Sequence, residues 1–93
     1  MTFVYSFKGY KLSYTKKAEK DLKAIDNQHS KKIEKKFKDM VQGLSNNDIK
    51  KLQGYNIFRL RVGNYRALFE VHEKIITILV VSVEHRKDVY EGL

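Results

Sequence analysis

The residues best suited to chemistry in this chain are its arginines. All four, Arg59, Arg61, Arg66 and Arg86, fall within the segment IFRLRVGNYRALFEVHEKIITILVVSVEHRKDVY, whereas thirteen of the fifteen lysines precede residue 52. The two cations do different work. Lysine carries a flexible, well-hydrated point charge, while the planar guanidinium of arginine pairs with phosphate oxygens two at a time. Gly63-Asn64 is a two-residue hairpin signal with glycine first, as a type II′ turn requires. That turn sets Val62 opposite Tyr65 and Arg61 opposite Arg66. Like charges directly opposite one another destabilise a sheet, so the pairing calls for an anion, or a carboxylate such as Glu70 or Glu84, between them. Arg59 lies two residues along the same face. Three guanidiniums on one open sheet face make a phosphate cradle.

A second group follows the last strand: Glu84-His85-Arg86-Lys87-Asp88-Val89-Tyr90. Loops at strand ends commonly carry sites. Imidazole is the side chain suited to proton transfer near neutral pH, and His85 is the only histidine beside an arginine. Tyr90 has a ring that can stack on a base or a hydroxyl that can hold a proton. His29 and His72 read as surface or structural residues.

These groups must be placed by a small number of elements. Tyr10, Leu12 and Tyr14 alternate onto one face of a first strand over 10–14. Thr15 is the expected N-cap of a first helix, in which Ala18, Leu22 and Ile25 form one apolar stripe. Asp26 is the expected cap of a second helix from about Asn27, with Ile33, Phe37, Met40, Val41 and Leu44 as its stripe. Gly43 and the run 45–48 end the helical part, and Gly54 marks another turn. A meander follows: a strand over 57–62, the Gly63-Asn64 turn, a strand over 65–72, a turn at Glu73-Lys74, and a central strand over 75–83 that is apolar on both faces. The tail 88–93 is a short helix or a loose end. The expected fold is α+β, in the order β-α-α-β-β-β, a small antiparallel-rich sheet with a helical hairpin on one face and a single domain over residues 1–93.

Composition narrows the function. The formal net charge is +8, which favours an anionic partner. There is no cysteine, so disulfide frameworks and thiolate metal sites are excluded. The three histidines lack the spacing of metal ligands. The longest apolar stretch, near residues 75–83, is too short for a membrane helix. The expectation is a cytoplasmic protein with no membrane partner and no cofactor.

The run LQGYNIFRLRVGNYRALFEV, an apolar strand and then HRKDVY together resemble the RelE/ParE superfamily of toxins from bacterial and archaeal toxin–antitoxin pairs. The resemblance spans nearly the whole chain, through an opening strand, a lysine-rich helical hairpin, an L-x-G turn, an R-L-R-V-G-x-Y-R hairpin and an H-R-x-x-V-Y ending. It implies a ribosome-dependent, metal-independent mRNA endoribonuclease that inhibits translation. In that chemistry the 2′-OH attacks the adjacent phosphorus and the 5′-oxygen leaves. The resemblance matches Arg59 and Arg61 to the family's basic residues on this strand and Arg66 to an arginine that stabilises the transition-state phosphate. It matches Arg86 to the basic residue after the last strand, and Tyr90 to a tyrosine that stacks on a base. Relatives can carry lysine where this chain has Arg59 and Arg61. Arginine is a poor general base, so the proton work falls to His85 or is weak, with Glu70 and Glu84 as lesser candidates. The implied partners are a cognate antitoxin with an acidic or amphipathic segment, the ribosome and mRNA, and operator DNA only through the antitoxin complex. Two alternatives share these features: a ParE-like poison of DNA gyrase, and a non-catalytic basic module that binds nucleic acid.

Overall fold

The computed structural model describes residues 7–44, 48–52 and 56–85. The chain runs β1 (Lys11–Tyr14), α1 (Lys16–Ala24), α2 (Asn27–Val41), β2 (Ile49–Lys51), β3 (Ile57–Val62), β4 (Tyr65–His72) and β5 (Thr77–His85). Both expected caps are present. The Thr15 hydroxyl accepts from the Ala18 N–H at 3.1 Å, and the Asp26 carboxylate accepts from the Gln28 N–H at 3.0 Å. Each satisfies an amide that the first turn of a helix leaves over. Gly43, with φ at 86°, takes the left-handed conformation that closes α2. Leu44 therefore lies beyond the helix and is 56 % exposed, rather than extending its buried stripe.

The strands form one five-stranded sheet in the order β1-β5-β4-β3-β2. β1 runs parallel to β5, and the other neighbours are antiparallel. The sequence predicts four strands; β2 is the addition. It is three residues long and pairs Ile49, Lys50 and Lys51 with Leu60, Arg59 and Phe58. A segment so short shows no period-two pattern, and its lysines suit an outer edge, where charge discourages further pairing. The last strand also begins later than expected. Ile75 and Ile76 belong to the β4–β5 turn and are 64 % and 51 % exposed.

Both helices cover one face of the sheet. Phe37, Phe69, Ile33, Leu60, Ile78 and Val80 are fully buried between the layers. Phe37 meets Phe69 edge-on at 5.5 Å between ring centroids, and Phe58 stacks on Phe69 at the same distance. Phe7 packs edge-on against both Phe58 and Phe69. Edge-to-face and offset stacking are the favoured geometries of aromatic pairs, so these rings hold the two layers at a fixed spacing. The opposite face of the sheet has no helix over it among the described residues. Of the described helices, none is long and apolar enough to cross a membrane.

Candidate nucleic-acid interface

Strand alternation sorts β3 and β4 into two sets. Phe58, Leu60, Val62, Ala67, Phe69 and Val71 point into the core, while Arg59, Arg61, Arg66, Leu68, Glu70 and His72 point to the open face. The turn between the strands is of the expected kind. Gly63 has φ at 58°, and Asn64 is not among the residues with positive φ, the combination of a type II′ turn. The register follows: Val62 faces Tyr65 and Arg61 faces Arg66. The Arg61 N–H donates to the Asp48 carbonyl at 3.1 Å, away from β4. Arg61 and Arg66 therefore form the closer, non-hydrogen-bonded kind of pair, with Cα atoms about 4.5 Å apart. Two guanidiniums thus start from the shortest spacing an antiparallel sheet offers.

Strand pairing orders the open face into rows. One row crosses Lys50, Arg59, Leu68 and Ser82, and the next crosses Arg61, Arg66 and Glu84. Beyond them come Ile57, Glu70, Leu79 and Ser13, then His72, Thr77 and Lys11. Cationic charge is concentrated in the two rows nearest the Gly63-Asn64 turn. In the far rows, Glu70 Oε1 lies 2.8 Å from His72 Nε2, so that carboxylate is engaged at the other end of the face. Arg61 is exposed, whereas Arg59 and Arg66 are half-buried with Nε shielded from solvent. A half-buried guanidinium has lost rotamer freedom before an anion arrives, which lowers the entropy cost of each hydrogen bond it makes. Lys50 is a basic residue of this face that sequence reasoning did not single out. Only the β2–β3 register brings it beside Arg59.

His85 ends up elsewhere. The pairing of β4 with β5 shifts between Leu68 and Phe69: Leu68 faces Ser82 but Phe69 faces Val80, which leaves Val81 as the extra residue of a β-bulge. Plain alternation from Ile78 and Val80 would have put His85 on the arginine face. The bulge reverses the alternation beyond it, so Glu84 pairs with Arg66 on the open face and His85 pairs with Tyr65 on the helix-covered face. The His85 ring meets Tyr65 edge-on, 5.1 Å between centroids and 89° between planes. His29, from the first turn of α2, lies on Tyr65 as well, at 5.2 Å and 52°.

Helix α1 fixes this end of β5. β1 stops at Tyr14, opposite Val80, so backbone groups from Val81 onward need partners other than a strand on that side. Thr15 Oγ1 donates to the Val81 carbonyl at 3.0 Å, and Asp21 Oδ2 accepts from the Val83 N–H at 2.9 Å. Lys17 Nζ lies 2.9 Å from the same Asp21 oxygen. Arg86 and Tyr90 lie outside the described residues.

A cleft of about 630 Å³ opens in the helix layer, away from the arginine face, lined in part by Tyr14, Glu19, Lys23, Ser30 and Glu34. Burial, with a smaller contribution from the Glu34 charge, pushes the Tyr14 hydroxyl up to about 12. A cleft bearing two carboxylates is poorly suited to phosphate, so this cleft and the phosphate-matching residues are separate places.

Residues 12–90 match the family described as ParE toxin of type II toxin-antitoxin system, parDE. The chain is 38 % identical over 86 residues to Toxin RelE3 of Methanocaldococcus jannaschii, a match covering 87 % of this chain and 96 % of the relative. Its fold resembles that of a chain in the RelB-RelE antitoxin-toxin complex from Methanococcus jannaschii, with TM-score 0.71 and 35 % identity over 87 % of this chain and 98 % of the other. The isolated E. coli RelE toxin gives the same TM-score of 0.71 at 20 % identity, covering 89 % of this chain and 93 % of that one, which is a likeness of fold.

Proposed function

This chain belongs to the RelE/ParE superfamily, toxins of type II toxin–antitoxin systems, and from that premise we propose that it is a ribosome-dependent endoribonuclease that cuts mRNA on its arginine face. The observation that carries this reading is the pairing of Arg61 with Arg66 beside Arg59 and Lys50 on one uncovered sheet face. Like charges set opposite one another destabilise a sheet; Glu84, opposite Arg66 on its other side, offsets part of this, and a phosphodiester held by both guanidiniums would offset more.

The reaction that suits these residues is internal phosphoryl transfer. The 2′-oxygen attacks the adjacent phosphorus, the bond to the 5′-oxygen breaks, and the product is a cyclic phosphate with a free 5′-hydroxyl. Negative charge grows on the equatorial oxygens of the phosphorane. Arg59, Arg61 and Arg66 are the groups to stabilise it, because preorganised cations aimed at developing charge contribute more than those that must reorganise. One proton leaves the 2′-OH and one is delivered to the 5′-oxygen. Guanidinium does neither well. His85 is the side chain assigned to this proton traffic, with Arg86 as a further cation and Tyr90 as a ring against a base. The ribosome supplies what so small a face lacks: an mRNA strand held extended, so that attack becomes a matter of positioning.

The partner in the absence of the ribosome is an antitoxin whose acidic or amphipathic segment lies over the arginine face. The similar chain of known structure from Methanococcus jannaschii is seen in a RelB-RelE complex, which supports a partner of this kind here. Induction of the chain alone and together with its neighbouring reading frame tests the reading, with growth and mRNA 5′ ends as readouts. The expected result is arrest relieved by the neighbour, and cleavage by the purified protein only when ribosomes are present. Arrest with intact mRNA and gyrase-linked DNA breaks would establish the gyrase-poisoning alternative, which the ParE description of the matching family keeps in view.

A further inference from the structure

We infer that Tyr65 is a positioning residue for His85, held in turn by His29, so that three rings from α2, β4 and β5 set where the imidazole stands at the end of the sheet. The inference rests on the nuclease reading above and deepens it.

The three rings form a continuous row. His29 to Tyr65 is 5.2 Å and Tyr65 to His85 is 5.1 Å between centroids. The perpendicular contact at His85 brings a ring edge against a ring face, the arrangement aromatic quadrupoles favour, and such pairs contribute about 0.5–1.5 kcal/mol beyond area burial. The backbone beneath each ring has its own anchor. Tyr65 closes the Gly63-Asn64 hairpin opposite Val62. His85 is paired with Tyr65 across the β4–β5 ladder, on a stretch of β5 whose Val83 amide is held by Asp21. His29 stands in the first turn of α2, with Nδ1 3.5 Å from Asp26 Oδ2, within ion-pair reach of the residue that caps the helix.

The bulge at Val81 gives the row its purpose. Because it turns His85 to the helix-covered face, the imidazole and the arginines stand on opposite faces of the sheet, and the nuclease reading requires the imidazole to act from the end of the sheet. The neighbouring residue on β4, Arg66, points to the open face. Tyr65 and Arg66 are consecutive and oppositely directed, so one strand end holds the His85 ring on one side and a phosphate-matching guanidinium on the other. A proton-transferring side chain depends strongly on its rotamer, and misplacement by about 1 Å can cost on the order of a hundredfold in rate. Neither His29 nor Tyr65 carried this signal in the sequence, because they meet only through the hairpin and the helix packing.

The test compares Tyr65→Leu, which removes the ring, with Tyr65→Phe, which keeps it and removes only the hydroxyl. Two readouts are needed. The first is the ring-current shift of the His85 imidazole protons in the NMR spectrum of the purified toxin, which reports the row without requiring any reaction. The second is single-turnover cleavage of ribosome-bound mRNA at saturating toxin. Tyr65→Leu should lose the His85 shift and slow cleavage by roughly tenfold or more, while its affinity for ribosomes stays as in the wild type. Tyr65→Phe should retain the shift and cleave at close to the wild-type rate. His29→Ala should give a smaller change of the same sign in both readouts. A His85 shift unchanged in Tyr65→Leu overturns the row. A lost shift with an unchanged cleavage rate overturns its role in positioning. If the wild type cuts no mRNA at all, the nuclease reading fails, and with it the purpose assigned to the row, while the spectrum still shows whether the row exists.

Discussion

The two faces of the β3–β4 hairpin are built from alternate residues of the same strands, yet they answer to different demands. On the helix side, Phe58, Leu60, Val62, Ala67, Phe69 and Val71 are nearly all removed from solvent and touch partners from every layer of the fold. On the open side, Arg61 faces Arg66, with Arg59 and Lys50 in the adjoining row, so that like charges stand close together. One face is arranged so that its contacts agree with one another. The other keeps a local conflict that a bound anion would relieve. Conflicts of this sort are expected where a protein gives up some stability for function. Adjacent residues on one strand should therefore separate cleanly into those that hold the fold and those that serve it.

The largest effect should come from the core side. Phe69→Ala removes a fully buried ring that meets Phe7, Phe37 and Phe58, and should lower unfolding free energy by about 3–5 kcal/mol in urea denaturation. A loss below 1 kcal/mol would mean that the aromatic cluster does not hold the layers together. Asp21→Ala should cost about 1–2 kcal/mol, because it strips the partner from the Val83 amide. Hydrogen exchange should then quicken at the end of β5 before it does in β4. Uniform exchange across the sheet would contradict the role given to Asp21.

Smaller effects sharpen the contrast. Lys50→Ala, on the open face beside Arg59, should leave the melting temperature unchanged. It should weaken ribosome binding and reduce the slope of log affinity against log salt by about 1. An unchanged slope would remove Lys50 from the phosphate contacts. On the core side, Tyr14 tests burial through pH. Its hydroxyl is raised from 10.0 to about 12 in the folded protein, so the folded state favours the neutral form. The resulting stability is fully present below the unfolded value and is lost as pH rises through the folded one. Tyr14→Phe should therefore flatten part of the decline in stability between pH 10.0 and about 12. Identical alkaline curves for the two proteins would contradict the burial.

Much of this division was legible in the sequence because it depends on local signals. Caps at Thr15 and Asp26, a glycine-first turn, and alternation in IFRLRV each act within a few residues, and the Arg61–Arg66 register follows from the turn alone. What was not legible depends on distant pairing. β2 is too short to show a period, and becomes a strand only by docking on β3. The parallel partner of β1 is selected by packing under the helices. Leu44 and Ile75 continue apolar patterns past the point where Gly43 and the β4–β5 turn stop the elements. Most consequential is the bulge at Val81. No residue there announces it, yet one extra residue moves His85 from the arginine side to the side of Tyr65 and His29, and brings Glu84 opposite Arg66.

The most direct measurement is the rate at which Arg66→Ala cuts ribosome-bound mRNA, set against its stability. If the open face exists to hold phosphate, the variant should melt within about 4 °C of the wild type, the shift that roughly 1 kcal/mol produces at this size. Cleavage should fall by at least about a hundredfold, as when a preorganised donor to a developing charge is removed. Arg66→Lys should lie between the two, keeping the charge and losing the fork. A stable Arg66→Ala protein that cuts mRNA at the wild-type rate would contradict the account.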